Sequence, residues 1–196
     1  MMAMNFRHTC VAFPLMMLFV LSVDTRAQEP ATTEKPAIPA VVLSEQHEKL
    51  CKVKVGDPLP ALELKTLAGG EQSLPELYNK NATVVLFWNG DGWMTRAALR
   101  DLGRSLAELV RQKKVAAVTI AVNQSAEVTQ AALEKAESKL ITLLDPYGKA
   151  FAQVGKEKLP RVFVLDGAGK IVWFDLEYSH TTRRELRQAV DALTAK

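Results

Sequence analysis

Residue types that form covalent bonds to substrates or bind metals are scarce in this sequence. It contains two cysteines, Cys10 and Cys51, and three histidines among 196 residues. Two cysteines cannot build a disulfide framework, and histidines without neighbouring carboxylates or cysteines do not predict a metal site. No serine, histidine and aspartate stand at spacings that favour a nucleophilic triad. We therefore expect neither a bound metal nor another cofactor.

The composition predicts a globular protein and excludes two classes. Hydrophobic residues make up 48% of the chain and charged residues 24%, which excludes wholesale disorder and a polytopic membrane protein. The formal net charge is only +3. A total this small, without a dominant cluster of basic residues, does not favour a nucleic-acid partner.

Residues 1–27 have the pattern of a targeting segment. Arg7 opens a short basic start, residues 10–23 form an apolar run, and small residues precede a cleavage site after Ala27. The run is short for a spanning helix and Pro14 interrupts it. We expect a cleaved signal peptide, an exported protein in the periplasm or outside the cell, and no membrane association beyond this segment. An uncleaved N-terminal anchor is the alternative.

Residues 28–52 are predicted to form a linker or N-terminal extension. Up to Ala40 the stretch is rich in Pro, Ala and Thr and has no hydrophobic period, as in flexible or partly extended linkers. Val41 to Leu50 has the pattern of a short helix. The folded domain is expected over residues 53–196.

From Val53 onward, strand and helix patterns alternate. Continuous β-branched or aromatic runs predict buried strands, and apolar residues at helical spacing predict amphipathic helices. The predicted strands are 61–67, 82–88, 115–122, 140–144, 161–165 and 171–176, and the main helices are 93–113, 126–138 and a C-terminal one that turns Leu186, Ala189, Val190 and Leu193 inward. Crossover helices require parallel strands, whereas the turn at 166–169 predicts an antiparallel hairpin. The fold class is therefore α/β, with a mixed central sheet and helices on both faces.

Four phrases in this order resemble one family. Residues 55–60 (VGDPLP), 84–88 (VVLFW), 145–148 (DPYG) and 159–166 (LPRVFVLD) are similar to phrases of exported thiol–disulfide oxidoreductases of the TlpA and ResA kind, which are redoxin-like proteins. The resemblance covers about residue 53 to the C-terminus. It implies a thioredoxin-like fold with a redox site just after the strand at 82–88.

The sequence departs from the family at the residues that would carry the chemistry. In the family, a Cys-x-x-Cys pair and a basic residue follow the central strand; here Gly92 and Thr95 take the two cysteine positions and Arg96 keeps the basic one. Thiol–disulfide exchange needs a thiolate that attacks sulfur and a second thiol that resolves the mixed disulfide. Glycine and threonine supply neither, so we expect no dithiol activity and no catalytic residue at these degenerate positions.

Cys51 leaves three interpretations open. It is a neutral cysteine, or it forms an intermolecular disulfide that links a dimer in an oxidising compartment, or it serves a one-cysteine peroxidase. A peroxiredoxin-type site is disfavoured, because no Thr-x-x-Cys phrase begins the helix after the central strand.

The resemblance also implies a peptide-binding groove. In the family, the bond before the proline that faces the active site is cis, and the residue before it offers its main chain to an extended peptide; Leu159 and Pro160 match these positions. Such a main chain pairs with a partner strand by β-augmentation. Trp93 and Met94 would add apolar contact at the opposite side of the groove. The alternative is that Trp93 packs into the body of the domain and the groove is unused.

Three functions from different classes follow. The first is an exported thioredoxin-like protein without redox activity that binds a peptide or protein partner. The second is a thiol–disulfide oxidoreductase or antioxidant protein that acts through Cys51 or through a partner's thiols. The third is a structural scaffold subunit. The sequence leaves open whether the chain is an enzyme.

Overall fold

The computed structural model describes residues 36–90 and 92–195. The predicted signal peptide, the first part of the predicted linker and Asp91 lie outside the described residues. In the described ranges the chain forms seven strands and six α-helices. The strands are β1 (Glu63–Thr66), β2 (Glu71–Ser73), β3 (Ala82–Trp88), β4 (Val115–Val122), β5 (Ile141–Asp145), β6 (Arg161–Asp166) and β7 (Ile171–Asp175). The helices are α1 (Glu45–Glu48), α2 (Trp93–Ser105), α3 (Ala107–Arg111), α4 (Ala126–Lys135), α5 (Phe151–Val154) and α6 (His180–Thr194).

All seven strands of the described chain form one mixed sheet in the order β2-β1-β5-β4-β3-β6-β7. β3, β4 and β5 are mutually parallel, because α2 with α3 and then α4 carry the chain back across the sheet between them. β6 and β7 form the predicted hairpin, and β6 pairs antiparallel to β3. The predicted α/β class, with a mixed central sheet and helices on both faces, is therefore confirmed.

The sheet has a hydrophobic core on each face. Every residue of β3 is buried, and successive side chains alternate between the two cores. Val84, Leu86 and Trp88 pack with apolar residues of α2, α4 and α6 on one face. Val85 and Phe87 pack on the other face with α5 and with residues that precede β2. Since β3 is central and buried on both sides, its C-terminal end is a rigid support for whatever follows it.

Two elements differ from the prediction. β2 was not predicted, because its three residues are all polar and carry no hydrophobic strand pattern. It pairs with β1 alone. The predicted long helix 93–113 is divided at Leu106, whose φ of −100° departs from helical geometry. The Leu106 N–H still donates to the Leu102 carbonyl, and the Val110 N–H to the Leu106 carbonyl. The helical hydrogen bonds therefore continue through Leu106, and the division is a local distortion between α2 and α3.

The described part of the N-terminal extension packs against the domain. Val41, Leu43, Leu50 and Cys51 contact the core that contains Phe87. Backbone hydrogen bonds run from the Lys52 N–H to the Val154 carbonyl (3.1 Å) and from the Lys156 N–H to the Leu50 carbonyl (3.0 Å). We name residues 50–52 with their partners 154–156 the clasp. Among the described helices, none is both long and apolar enough to cross a membrane.

Candidate functional site

The candidate site lies at the C-terminal edge of the parallel strands. β3 ends at Trp88, the loop 89–92 follows, and α2 begins at Trp93. Phe87 lies opposite Arg161 in the β3–β6 register. The residue before Arg161 in the chain is Pro160, so this register brings the Leu159–Pro160 bond to the same edge as the loop after β3. The fold thus brings together the two segments that the sequence singled out.

Gly92 is the exposed N-cap residue of α2. Its φ of −55° and ψ of 158° are accessible to any L-residue, and a Cβ built there meets nothing within 4 Å. No side chain caps the helix at this end, and its first turn contains no acidic residue. The first N–H groups of α2 and the positive end of its dipole therefore remain without an anionic neighbour in that turn.

Thr95 is a structural residue in this arrangement. Its side chain is only 4% exposed, and its hydroxyl donates to the Asn89 carbonyl at 3.0 Å. This bond ties the first turn of α2 to the loop that follows β3. The resemblance in sequence places the family's resolving sulfur at this position, where the Thr95 hydroxyl bonds to the backbone.

The loop after β3 has a second attachment, on the neighbouring connection. The Gly90 N–H donates to the Gln124 side-chain oxygen at 2.8 Å, and the Gln124 amide nitrogen donates to the Thr129 hydroxyl at 3.2 Å. Gly90 has φ of +60°, a value that glycine adopts most easily. The loop is therefore held from both sides although its cysteines are missing.

Trp93 points away from the domain. It is 69% exposed, which excludes the alternative in which it packs into the body of the fold. Met94 is half-buried. Tyr147, which follows β5, is 76% exposed, and Val128 in the first turn of α4 is also exposed. All three exposed side chains lie beyond the C-terminal ends of parallel strands, so they give one edge of the sheet an apolar character.

Leu159 and Pro160 form a cis peptide bond immediately before β6. Pro160 is buried and Leu159 is half-buried against the core that contains Phe87. Within the described residues, neither the N–H nor the carbonyl of Leu159 has a hydrogen-bond partner. Its main chain is therefore free to bond to another strand.

Cys51 lies in the clasp and not at this edge. It pairs with Gly155 in an isolated β-bridge, and its thiol donates to the His47 carbonyl at 3.4 Å. Burial raises the pKa of the thiol, nearby Arg161 opposes this shift, and Glu48 adds to it. Cys51 is a free cysteine.

Sequence reasoning missed the role of Arg161. It was read as the first residue of a strand, but its guanidinium lies against Cys51, with Nη1 3.9 Å from Sγ. The available signal was an arginine at the start of an otherwise apolar, fully buried strand, since an arginine is almost never fully buried without a partner.

Comparisons with known proteins agree with this architecture. Residues 54–193 match the family described as Redoxin. A putative protein disulfide isomerase from Bacteroides thetaiotaomicron superposes with a TM-score of 0.68 and 18% identity, over 75% of this chain and 94% of that one. A putative thiol:disulfide interchange protein DsbE from Chlorobium tepidum gives 0.64 and 18%, over 72% and 99%.

A third similar structure is a secreted Mycobacterium tuberculosis disulfide oxidoreductase homologous to E. coli DsbE. Its TM-score is 0.57 at 21% identity, over 68% of this chain and 96% of that one. A search of the curated proteins gives no significant match. The structural likenesses are below 25% identity and show the shared fold, and the match over residues 54–193 shows the family. This chain belongs to the redoxin family.

Proposed function

We propose that this chain is an exported thioredoxin-like protein without dithiol activity that binds an extended peptide segment of a protein partner. The binding edge comprises the Leu159 main chain, Trp93, Met94 and Tyr147. The single observation that carries the proposal is the unpaired main chain of Leu159, which directly precedes a buried proline.

An edge with free main-chain groups and exposed aromatic side chains favours the binding of a peptide strand. A free N–H and carbonyl on an extended backbone bind a strand through main-chain bonds, which are tolerant of sequence. Exposed aromatic side chains beside them supply the buried area that makes such contacts stable, and tryptophan is enriched among residues that dominate binding energy. A site with these two parts binds a peptide without needing a reactive sulfur.

The absence of dithiol chemistry follows from the residues at the site. The Thr95 hydroxyl is engaged with the Asn89 carbonyl, and Gly92 has no side chain. The remaining cysteine of the described chain, Cys51, lies in the clasp. The protein is expected to show no insulin reduction above the rate with dithiothreitol alone.

Export rests on the targeting pattern of residues 1–27. The similar structures include one described as secreted and one described as an interchange protein of the DsbE type. These likenesses support the same compartment for this chain.

The binding test uses photocrosslinking in the exported fraction of the native host. A photoreactive phenylalanine analogue replaces Trp93 in one variant and Ile141 in a matched control. Ile141 is also exposed, at 53%, but it begins β5 and so lies at the opposite edge of the sheet. We expect a discrete crosslinked partner from position 93 and none from position 141.

The affinity of a captured partner peptide then measures the contribution of the edge. Trp93→Ala is expected to weaken binding about tenfold or more, and Ile141→Ala by less than about threefold. Equal crosslinking from both positions, or an affinity that Trp93→Ala leaves unchanged, would place the useful surface elsewhere and favour the scaffold interpretation.

A further inference from the structure

The clasp surrounds a buried cation that has no anionic partner among the described residues. Arg161 is 0% exposed, and in residues 36–90 and 92–195 no carboxylate forms an ion pair with it. Its terminal nitrogens donate to three backbone carbonyls: Leu50 at 3.3 and 3.4 Å, Val154 at 3.5 Å and Lys156 at 3.2 Å. Its Nε has no hydrogen-bond partner among the described residues. Carbonyl dipoles offset part of the charge, but the net charge stays buried.

The guanidinium is fixed in place. A Cβ at Gly155 would lie 2.0 Å from Nη1, so the backbone of the clasp touches the cation directly. The ring of Phe151 covers it, with the guanidinium carbon 5.3 Å from the ring centroid. A cation held this tightly in a low-dielectric setting interacts strongly with any anion that forms beside it.

The Cys51 sulfur is the group that Arg161 reaches. Nη1 lies 3.9 Å from Sγ, and the residue is partly exposed. Cys51 also lines a groove of about 620 Å³ together with Val53, Lys54 and Phe174. Cys51 therefore borders a space large enough for small solutes, and the cation beside it is fully buried. The Glu48 carboxylate also acts on this sulfur and raises the pKa of the thiol.

An anion at position 51 would correct the charge imbalance. Leaving one buried charge without its partner is strongly unfavourable, and supplying the partner recovers that penalty. A neutral thiol does not supply it. An oxidised sulfur does, because a sulfinic acid is ionised near neutral pH and carries two acceptor oxygens that match the donor geometry of a guanidinium.

We propose that Cys51 is a site of stoichiometric oxidation by hydroperoxides, at which Arg161 holds the sulfinate product as an ion pair. In the first step the Cys51 thiol gives up its proton and the thiolate attacks one peroxide oxygen. An S–O bond forms, the O–O bond breaks, and the leaving oxygen takes up that proton to give an alcohol or water. A second hydroperoxide oxidises the sulfenic acid in the same way. The sulfinic acid releases its proton to solvent. Sulfur is oxidised by four electrons and two hydroperoxides are reduced.

The cysteine of this modification site lies outside the residues that define the family, whereas Arg161, which holds the product, lies within them and directly follows Pro160. Cys51 precedes the matched residues 54–193, and Cys10, in the predicted signal peptide, is the other cysteine of the sequence. The mature chain would thus have no second thiol to resolve the sulfenic acid, so the reaction ends at the sulfinate and does not turn over.

Peroxide treatment of the wild-type protein tests the chemistry. With excess hydrogen peroxide, we expect a gain of two oxygen atoms in the intact mass, mapped to Cys51 by peptide analysis and absent from Cys51→Ser. The oxidised protein is expected to melt about 2 °C or more above the reduced one. A lower melting temperature after oxidation, a disulfide-linked dimer as the main product, or oxidation only after denaturation would overturn the proposal.

A matched pair of substitutions tests the electrostatics without any oxidant. Cys51→Asp places a carboxylate beside Arg161, and Cys51→Asn is its neutral isostere. The aspartate variant is expected to melt higher than the asparagine variant by about 2 °C or more at pH 7, and Arg161→Met is expected to abolish the difference. If Arg161→Met does not fold, the comparison at position 51 decides alone: equal melting temperatures, or a lower one for aspartate, would refute the role of Arg161.

Discussion

Restoring the two missing sulfurs tests whether the degenerate site keeps its geometry. The perturbation is Gly92→Cys with Thr95→Cys, in a Cys51→Ala background that removes the other thiol of the described chain. Residues three apart at the start of a helix have Cα atoms about 5 Å apart, within the range of about 4.4–6.8 Å that disulfides span. A cysteine at position 92 needs no rearrangement, since φ there is negative and the space around its Cβ is open.

The expected stability change is small. Thr95→Cys loses the hydrogen bond to the Asn89 carbonyl, worth about 1 kcal/mol, and one buried methyl, worth about 0.8 kcal/mol. Gly92→Cys restricts the unfolded chain and returns about 0.4–1 kcal/mol. The reduced double variant is therefore expected to be about 1 kcal/mol less stable than its parent, which a domain of ordinary stability tolerates. Chemical denaturation measures this difference.

The thiol at position 92 is expected to be activated by the uncapped start of α2. Helix N-termini lower a cysteine pKa from about 8.5 into the range of about 3.5–7.5. Asp91 precedes it in the sequence, and a nearby carboxylate disfavours the thiolate. We therefore expect weak reductase activity and a further pKa decrease of about one unit on Asp91→Asn, worth about 1.4 kcal/mol of thiolate stabilisation.

Two assays report on this variant: insulin reduction, and iodoacetamide alkylation as a function of pH. The rate of insulin reduction is expected to exceed that of the Cys51→Ala parent at least about tenfold. If the variant is folded but its two cysteines do not form a disulfide under mild oxidation, the loop after β3 does not hold positions 92 and 95 in disulfide geometry. That result would refute the inference that the degenerate site keeps the family's geometry.

Three further predictions concern the rest of the chain. Intact-mass measurement of exported material is expected to find Gln28 at the N-terminus, and a mass that retains residue 1 would contradict the signal peptide. Gly155→Ala is expected to lower the free energy of unfolding by about 1–3 kcal/mol, since the new Cβ would overlap the buried guanidinium. Gly103→Ala lies in a helix, where the new Cβ would make only an ordinary contact with the Ser138 hydroxyl, and is expected to raise it by about 0.5–1 kcal/mol. An equal effect of both substitutions in urea melts would refute the packing argument. Burial raises the pKa of Tyr78 to about 12, so the folded state favours the neutral phenol and stability is lost as the pH rises from about 10 towards 12. Tyr78→Phe removes a buried hydroxyl that has no partner in the described chain. This variant is expected to lose less stability than the wild type between thermal melts at pH 8 and at pH 11.

Strands that are buried on both faces were predictable because a short, continuous run of β-branched and aromatic residues is typical of such strands. β3 and β4 begin and end where the continuous apolar runs ATVVLFW and VAAVTIAV do. β2 was not predictable in this way, since Glu71–Ser73 carries no hydrophobic pattern and depends on its partner β1. The local hydrophobic pattern therefore predicts the bounds of a strand only where that strand is completely buried.

The residues of the candidate edge could be named from the sequence, but their surroundings could not. The resemblance named Gly92, Thr95 and Pro160, and the structure has the start of α2 and the start of β6 at one edge. Whether Trp93 packs inward or outward depends on tertiary contacts that no local pattern encodes. The structure shows that the side chain is exposed. The Arg161–Cys51 contact joins residues 110 positions apart, so no spacing argument reaches it.

The clasp has a practical consequence for recombinant work on this protein. The family match starts at residue 54, and a truncated form that begins there would appear to contain the whole domain. Such a form would lose the Leu50 carbonyl, which accepts two of the bonds from Arg161, and the apolar contacts of Val41 and Leu43. It would uncover apolar surface and leave a buried charge with fewer acceptors, so aggregation on expression is the expected result. Recombinant forms that begin before residue 40 keep the clasp and are the appropriate material for crystallisation and binding studies.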